Sequence, residues 1–257
     1  MVVGTEEQTA PRAPARRWAG VAALVALWAR FRDDARALGR AAWAAWLRAL
    51  LVGLALCCAL SAALTLTGRS AAPGPLETWD QQALVSLLEA PPFTFATAGV
   101  LESPGNLFGM WLLILAGTAL AIQTRRPVLG ATLFSGHLLA LAIFWAGWLL
   151  WNRARPDLVA GGIAAPGLHS FPSGHMVHVV AMYGYLAALW MRASGRWLER
   201  LLIAALFIAF CAAVGLARLI LGTHWPSDVL AGTLLGLAWA AVMVYAHLAA
   251  ERAAGGR

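Results

Sequence analysis

A histidine and an aspartate stand four residues apart in the segment "GTHWPSD", where His224 precedes Asp228 at the predicted start of a helix. Pro226 lies between them and suits the first turn of that helix. At this spacing the carboxylate can hold one nitrogen of the imidazole ring and leave the other nitrogen free. A histidine oriented in this way serves as a nucleophile or as a general base.

A second histidine stands at the mouth of another predicted helix, in the segment "FPSGHMVH". From that position His175 can act as a general acid that protonates a leaving oxygen. Ser173 and Gly174 come directly before it, and they offer a hydroxyl and backbone N–H groups to an anion at the helix N-terminus.

Two arginines stand close to these histidines in the chain, Arg155 in "WNRARPD" and Arg218 in "ARLILGTH". Their guanidinium groups are planar, permanently charged and suited to phosphate oxygens. The arginines and the helix N-terminus can bind a phosphate group, and the two histidines can act as nucleophile and acid. Together they predict a site that binds and cleaves a phosphate ester.

The elements that carry these residues are predicted from composition. Hydrophobic residues make up 61% of the 257 residues, charged residues 12%, and the mean hydropathy is +0.70, whereas a soluble domain has about 25% charged residues. A membrane span needs about 20 apolar residues, and such stretches have no strand-like alternation here. We predict an all-α polytopic membrane protein, a bundle of six transmembrane helices over residues 47–67, 107–123, 129–151, 174–191, 201–222 and 229–248.

The arginines predict the orientation, because the chain contains no lysine. With both termini in the cytoplasm, fifteen of the nineteen arginines lie inside and four outside, as the positive-inside rule favours. The polar ends of the third to sixth spans then meet on the outer face, and the basic charge reflects topology, so nucleic acid is not predicted as a partner. The four outer arginines are Arg69, Arg153, Arg155 and Arg218.

Three segments are predicted along the chain. Residues 1–40 form a cytoplasmic tail, with an amphipathic helix on the inner membrane surface over residues 16–40, and cleavage of a signal peptide is not expected. Residues 41–250 form the transmembrane domain, and residues 251–257 a second cytoplasmic tail. Between the first two spans, residues 76–88 predict a short helix on the outer surface.

Three motifs of this chain resemble those of the type 2 phosphatidic acid phosphatase family, also called lipid phosphate phosphatases. Family members share Lys-x6-Arg-Pro, Pro-Ser-Gly-His and Ser-Arg-x5-His-x3-Asp. The chain has Arg155-Pro156 of the first motif, all of Pro172-Ser173-Gly174-His175, and Arg218, His224 and Asp228 of the third at full spacing. The resemblance covers about residues 148–228, and the six-span topology extends it.

The resemblance implies a role for each residue. His224 would be the nucleophile that forms a phosphohistidine, Asp228 would orient it, and His175 would protonate the leaving group and later activate water. Arg155 and Arg218 would bind phosphate. The resemblance implies no metal and no other cofactor.

The chain departs from the family at two positions. Trp148 stands where the family has lysine, and Ala217 stands where it has serine before the arginine. Each lost contact costs about 1.5 to 3 kcal/mol if nothing replaces it. Arg153, two residues before Arg155, is the expected substitute cation for phosphate. The departures also leave open a different substrate, a phosphotransferase or an inactive relative.

The same residues are compatible with two other classes of protein. One is a zinc site built from His169, His175, His178 and His224, since histidine is the commonest metal ligand, but the neighbouring arginines argue against a cation. The other is a lipid-binding protein without catalysis, which needs no nucleophile and acid together. Packing is expected for His137 and His247, solvation for His169, and either packing or support of the site for His178.

The sequence therefore predicts a lipid phosphate or diphosphate phosphatase in a bacterial plasma membrane, with its site on the outer face. The candidate substrates are undecaprenyl diphosphate, phosphatidic acid, phosphatidylglycerol phosphate and a phosphorylated outer-leaflet glycolipid. Membrane lipid is the other expected partner, and no oligomeric state is predicted.

Overall fold

The computed structural model describes residues 19–72, 74–159, 161–162 and 169–255, and every regular element within them is helical. The α-helices are α1 (Ala19–Ser70), α2 (Pro75–Glu89), α3 (Phe95–Glu102), α4 (Leu107–Gln123), α5 (Pro127–Trp148), α6 (Gly174–Ala193), α7 (Trp197–Ile220) and α8 (Pro226–Gly255). A 3-10 turn, Ser103–Gly105, joins α3 to α4. The predicted all-α class is confirmed.

Helices occupy all six predicted spans, in α1, α4, α5, α6, α7 and α8. In the described chain, five stretches are long and apolar enough to cross a membrane, and they lie in α1, in α3 with α4, in α5, in α7 and in α8. The sixth helix, α6, is not among them, and its sequence carries His175, His178 and Arg192. Its core-facing side is buried among other helices, so it needs less apolar surface than a helix that faces lipid. The count of six spans stays a prediction.

Helix α1 is interrupted by a kink that separates two predicted segments. Gly39 has φ 79° and ψ 165° inside the helix, a region of backbone conformation that glycine enters without a Cβ clash. The kink lies between the amphipathic segment and the first predicted span. The described part of that segment, from Ala19, is helical, whereas residues 1–18 and the end of the second tail, residues 256–257, lie outside the described residues.

Prolines and polar caps fix several helix starts. Pro75, Pro127 and Pro226 each begin a helix, a position where the missing N–H costs nothing. The side chains of Asn106 and Ser173 cap α4 and α6 by accepting from backbone N–H groups three residues on.

The starts of α6 and α8 lie against each other because α8 is glycine-rich on that face. A Cβ on Gly236 would stand 2.7 Å from Cβ of Val180, and one on Gly232 would stand 2.5 Å from the carbonyl oxygen of Ser173. Any side chain at these two positions would push the helices apart. Deeper in the core, the buried Trp239 donates to the carbonyl oxygen of Gly136 at 2.8 Å.

The two ends of the bundle differ in chemistry. The end of α5, the start of α6, the end of α7 and the start of α8 lie together at one end, and α2 and α3 pack there against α7. The opposite end carries the arginines of the α4–α5 and α6–α7 connections and of the end of α8, namely Arg125, Arg126, Arg192, Arg196, Arg200 and Arg252. This is the segregation expected of a chain with both termini inside, although which end faces outward remains a prediction.

Candidate active site

His224 lies in the short turn between α7 and α8 and is almost entirely buried. Gly222 begins the reversal with φ +70°, the left-handed conformation that commonly ends a helix. Nδ1 of His224 is 3.0 Å from the carbonyl oxygen of Ser170 and 3.5 Å from Oδ2 of Asp228. Donation from Nδ1 to that carbonyl leaves Nε2 unprotonated, so Nε2 accepts from Nη1 of Arg155 at 3.4 Å. The predicted pair of His224 and Asp228 is thus assembled, with a backbone carbonyl as the closer partner.

The environment keeps the imidazole of His224 neutral at pH 7. Burial lowers the pKa of His224 to about 4, the negative charge of Asp228 raises it in part, and the positive charges of Arg218 and Arg155 lower it again. A neutral ring is the form that can attack phosphorus.

Asp228 is fully buried at the start of α8 and has a donor on each carboxylate oxygen. Oδ1 accepts from Nη1 of Arg153 at 2.7 Å, while Oδ2 accepts from the backbone N–H of Trp225 at 2.8 Å and from the hydroxyl of Ser170. Three donors from three parts of the chain hold the carboxylate in one orientation.

Arg153 does not point toward a phosphate site. Its Nη2 donates to Asp80 at 2.5 Å and its Nη1 to both Ser227 and Asp228 at 2.7 Å, and only 7% of the residue is exposed. The expectation that Arg153 replaces the family lysine as a phosphate ligand conflicts with these contacts, because its terminal nitrogens are bound to two carboxylates and a hydroxyl.

Asp80 is a site residue that sequence reasoning missed. The sequence predicts a surface helix over residues 76–88, yet Asp80 within it is fully buried on α2 together with Leu84, one turn later. The signal available in the sequence was the four-residue spacing of Asp80 and Leu84, which places the carboxylate on the apolar face of the helix. The helix itself was correctly predicted.

The positive charges of Arg155 and Arg218 both act on the imidazole of His224. Arg155 donates to the carbonyl oxygen of Thr223, and to that of His169 at 3.1 Å, while Arg218 forms an ion pair with Glu102. The pKa of Arg155 is lowered by burial and by the charge of Arg218, with Asp228 opposing, and an arginine remains a cation at neutral pH.

Three buried nitrogen atoms in this region have no hydrogen-bond partner among the described residues: Nε of Arg155, Nε of Arg218 and Nδ1 of His169. Buried polar groups are normally paired. Two guanidinium N–H groups without a described partner, close to an unprotonated imidazole nitrogen, suit an anion with several oxygens, such as phosphate.

His175 lies on the first turn of α6, and its Nε2 is 3.1 Å from the carbonyl oxygen of Glu102. The 3-10 turn after Glu102 packs directly on this ring, since a Cβ on Gly105 would overlap it. This segment, which carries no recognisable motif, covers one side of the site. Glu102, at the end of α3, is therefore the second residue that was missed.

Ser173 and Gly174 have specific structural roles in the loop before α6. The hydroxyl of Ser173 accepts from the N–H of Met176 at 3.4 Å, and the N–H of Ser173 donates to the carbonyl oxygen of Asp228 at 3.0 Å. Gly174 packs on the ring of Phe144, where a Cβ would stand at 3.1 Å. These contacts join the start of α6 to the start of α8.

The remaining histidines have different surroundings. His178 lies between the carbonyl oxygens of Gly174 and His137, each at 3.2 Å, and His247 is bonded to Tyr185 at 2.7 Å. Nδ1 of His137 has no partner among the described residues. The expectation that His169 is simply solvated is wrong, because its ring stacks on Trp148 with centroids 5.6 Å apart.

The two departures from the family motifs are accommodated by packing. The indole N–H of Trp148 donates to the carbonyl oxygen of Pro172 at 3.0 Å, so this side chain braces the loop that carries Ser170 and Ser173. Ala217 is fully buried on α7.

A cavity of about 610 Å³ opens beside this loop. Its wall combines three tryptophans and two leucines with three polar residues, and is formed by Arg69, Trp145, Trp148, Leu149, Leu150, Trp151, Asn152 and His169. The cavity adjoins Arg155 through His169, whose carbonyl oxygen accepts from Nη2 of that arginine at 3.1 Å.

Among the described residues, no group of three or more histidine, cysteine, aspartate or glutamate side chains is arranged to hold a metal ion. The positive charge near His224 comes from the arginines.

The comparisons with known proteins agree on one family. The sequence model of the PAP2 superfamily matches residues 128–252. The chain is 34% identical over 167 residues to a decaprenylphosphoryl-5-phosphoribose phosphatase of Mycobacterium tuberculosis, covering 63% of this chain and 85% of that protein. It is 36% identical over 96 residues to a lipid A 1-phosphatase of Rhizobium johnstonii, covering 34% and 35% of the two chains.

A solved structure shares the fold. It is a PAP2-type phosphatidylglycerolphosphate phosphatase from Bacillus subtilis, superposed with a TM-score of 0.56 and 21% identity over 75% of this chain and 92% of that one. The match begins before the segment of the family model, so the shared architecture includes the earlier helices.

Proposed function

The chain belongs to the PAP2 superfamily and is an integral membrane phosphatase, and we propose that it cleaves lipid phosphate esters through a phosphohistidine formed on His224. The observation that carries the proposal is the unprotonated Nε2 of a neutral, buried His224, which Nη1 of Arg155 contacts at 3.4 Å, together with two arginine Nε groups that have no partner among the described residues. Together these groups supply a nucleophile and the donors for a phosphoryl group.

In the first step Nε2 of His224 attacks phosphorus, a nitrogen–phosphorus bond forms, and the bond from phosphorus to the lipid oxygen breaks. The electron pair of that bond goes to the leaving oxygen, and His175 delivers a proton to it. For this, the leaving oxygen takes the place of the Glu102 carbonyl oxygen beside Nε2 of His175. Arg155 and Arg218 stabilise the charge on the phosphoryl oxygens.

In the second step water attacks phosphorus of the phosphohistidine and gives a proton to His175. The nitrogen–phosphorus bond breaks, its electron pair returns to Nε2 of His224, and inorganic phosphate leaves. As the histidine ring becomes positively charged in the intermediate, Asp228 and the carbonyl oxygen of Ser170 stabilise the proton on Nδ1.

We assign the site to the outer face of a bacterial plasma membrane, with residues 1–40 and 251–257 in the cytoplasm and residues 41–250 as the catalytic membrane domain. The support is the collection of arginines at the end of the bundle opposite His224. The substrate is then a lipid of the outer leaflet.

The cavity next to His169 favours a substrate with a headgroup larger than phosphate alone. Indole faces next to guanidinium and carboxamide donors suit a sugar ring. The first relative is named for a phosphoribose on a decaprenyl phosphate, which combines a sugar, a phosphate and a polyprenyl chain. We therefore rank a phosphorylated glycolipid first, ahead of undecaprenyl diphosphate, phosphatidic acid and phosphatidylglycerol phosphate.

The test is phosphate release by the purified protein from each of these four lipid classes in detergent micelles. We expect release from at least one class and acid-quenched trapping of labelled phosphate on the protein. Transfer of the label to an added acceptor lipid without release would identify a phosphotransferase. Binding of every lipid without release or transfer would contradict the proposal.

A further inference from the structure

A buried guanidinium joins α2 to the residues around His224. Nη2 of Arg153 is 2.5 Å from Oδ2 of Asp80, and Nη1 is 2.7 Å from Oδ1 of Asp228. Arg153 therefore bridges one carboxylate on α2 and another on α8. Both carboxylates are fully buried, and the three residues form one cluster.

Asp80 also binds the first turn of α8 directly. Its Oδ1 accepts from the backbone N–H of Ser227 at 2.8 Å and its Oδ2 from the hydroxyl of Ser227 at 2.6 Å. Ser227 directly precedes Asp228, so Asp80 holds both Asp228's neighbour in the chain and its arginine partner.

The guanidinium is also held on its faces. Its central carbon lies 4.8 Å from the ring centroid of Trp151 and 5.5 Å from that of Trp225. Aromatic faces and carboxylates together leave Arg153 little freedom to turn toward a substrate.

The charges in the cluster explain why a second carboxylate is needed. If Arg153 were the only charged partner of Asp228, the two charges would cancel. The pair would then do little to stabilise a positively charged ring on His224. Two carboxylates and one guanidinium leave one net negative charge, close to Nδ1 of His224. That negative charge stabilises the positively charged imidazole ring of His224 when it carries the phosphoryl group.

We propose that Asp80 is a positioning residue for phosphoryl transfer: by binding Arg153 and Ser227 it keeps Asp228 oriented and negatively charged toward His224. Asp80 lies outside residues 128–252, which match the family model, so α2 supplies part of the site from the first third of the chain. The inference rests on the proposed function through the roles of His224 and Asp228.

The test compares Asp80→Asn with Glu89→Gln, which removes the same charge from an exposed position on the same helix. Steady-state phosphate release from one accepted lipid gives kcat and KM, and orthovanadate inhibition reports binding at the arginines. We expect Asp80→Asn to lower kcat roughly 10- to 100-fold, the size of a lost charged hydrogen bond. KM and the orthovanadate inhibition constant should change less than about threefold, and Glu89→Gln should resemble the wild type.

A second variant tests the path through Arg153. We expect Arg153→Gln to lower kcat similarly, and the double variant to lose no more than about threefold beyond either single one, because the two residues act as a unit. If Asp80→Asn does not fold, Arg153→Gln alone decides: lost kcat with intact orthovanadate binding supports positioning, and lost orthovanadate binding overturns it.

The outcomes separate the two proposals. A wild-type protein that neither releases nor transfers phosphate contradicts the proposed function. The inference about Asp80 alone is overturned if the wild type is active and the Asp80→Asn variant keeps full kcat, whether its KM is unchanged or raised.

Discussion

The carboxylate of Glu102 forms an ion pair with the guanidinium of Arg218, one of the two arginines that we assign to the substrate phosphate. Both side chains are largely buried, with exposed fractions of 16% and 12%. A phosphate oxygen bound to Arg218 would compete with this carboxylate for the same donor. The free protein therefore holds one of its phosphate ligands in an internal pair.

Replacing Glu102 by glutamine removes the competing charge and keeps the size of the side chain. We expect the inhibition constant of inorganic phosphate to fall about three- to tenfold, equivalent to about 1 kcal/mol, when measured with the purified protein. Glu89→Gln, with the same charge change at an exposed position, should leave the constant unchanged. Weaker phosphate binding in Glu102→Gln would mean that Glu102 supports the cradle.

Substitution of the two histidines should separate their roles. His224→Ala removes the nucleophile, so no labelled phosphate should be trapped on the protein after acid quenching. His175→Ala removes the acid and should slow the labelling without abolishing it. Label that persists in His224→Ala would place the nucleophile on another residue.

The leaving group should modulate the effect of His175. A phosphomonoester leaves as an alkoxide and depends on protonation, whereas a diphosphate leaves as phosphate and depends on it less. We expect His175→Ala to lose at least about tenfold more rate on a monoester lipid than on a diphosphate lipid. His224→Ala should lose nearly all activity on both, and equal losses for His175→Ala would exclude its role as the acid.

The buried imidazole of His224 should titrate well below an ordinary histidine. Since its pKa is lowered to about 4, the ring should stay neutral and nucleophilic as the pH falls through 6.5 and become protonated only near pH 4. Carbon-13 spectra of labelled histidine side chains can follow this, with His224→Asn to assign the resonance. A midpoint between pH 6 and 7 would contradict the buried, arginine-flanked environment.

Phosphate release should need no divalent metal, because Arg155 and Arg218 supply the positive charge. We expect activity to survive dialysis against a chelator and to gain nothing from added zinc or magnesium. Loss of activity with the chelator, restored by zinc, would contradict the histidine-nucleophile scheme.

Labelling of single cysteines should establish the orientation. Asp157→Cys lies on the side of the catalytic loops and Gly195→Cys at the opposite end, and both positions are exposed. In a background without the three native cysteines, a membrane-impermeant thiol reagent added to intact cells should label the first and not the second. The reverse pattern would place the site in the cytoplasm and change the class of accessible lipid.

The sequence alone determined the helical class, the positions of the apolar helices and the types of groups at one end of the bundle. Apolar length reveals a membrane helix locally, and successive antiparallel helices bring the ends of α5 and α7 to the starts of α6 and α8. His224, His175, Arg155 and Arg218 could therefore be assigned to one end before any coordinates.

Only the tertiary structure decided which side chains bind which. Arg153 pairs with Asp80, which is 73 residues away, and Arg218 with Glu102, which is 116 residues away. The carbonyl oxygen of Ser170, which no side-chain pattern reports, lies closer to His224 than Asp228 does. Such pairings depend on the rotation and depth of each helix in the bundle, and these are set by packing across the core and not by the local sequence.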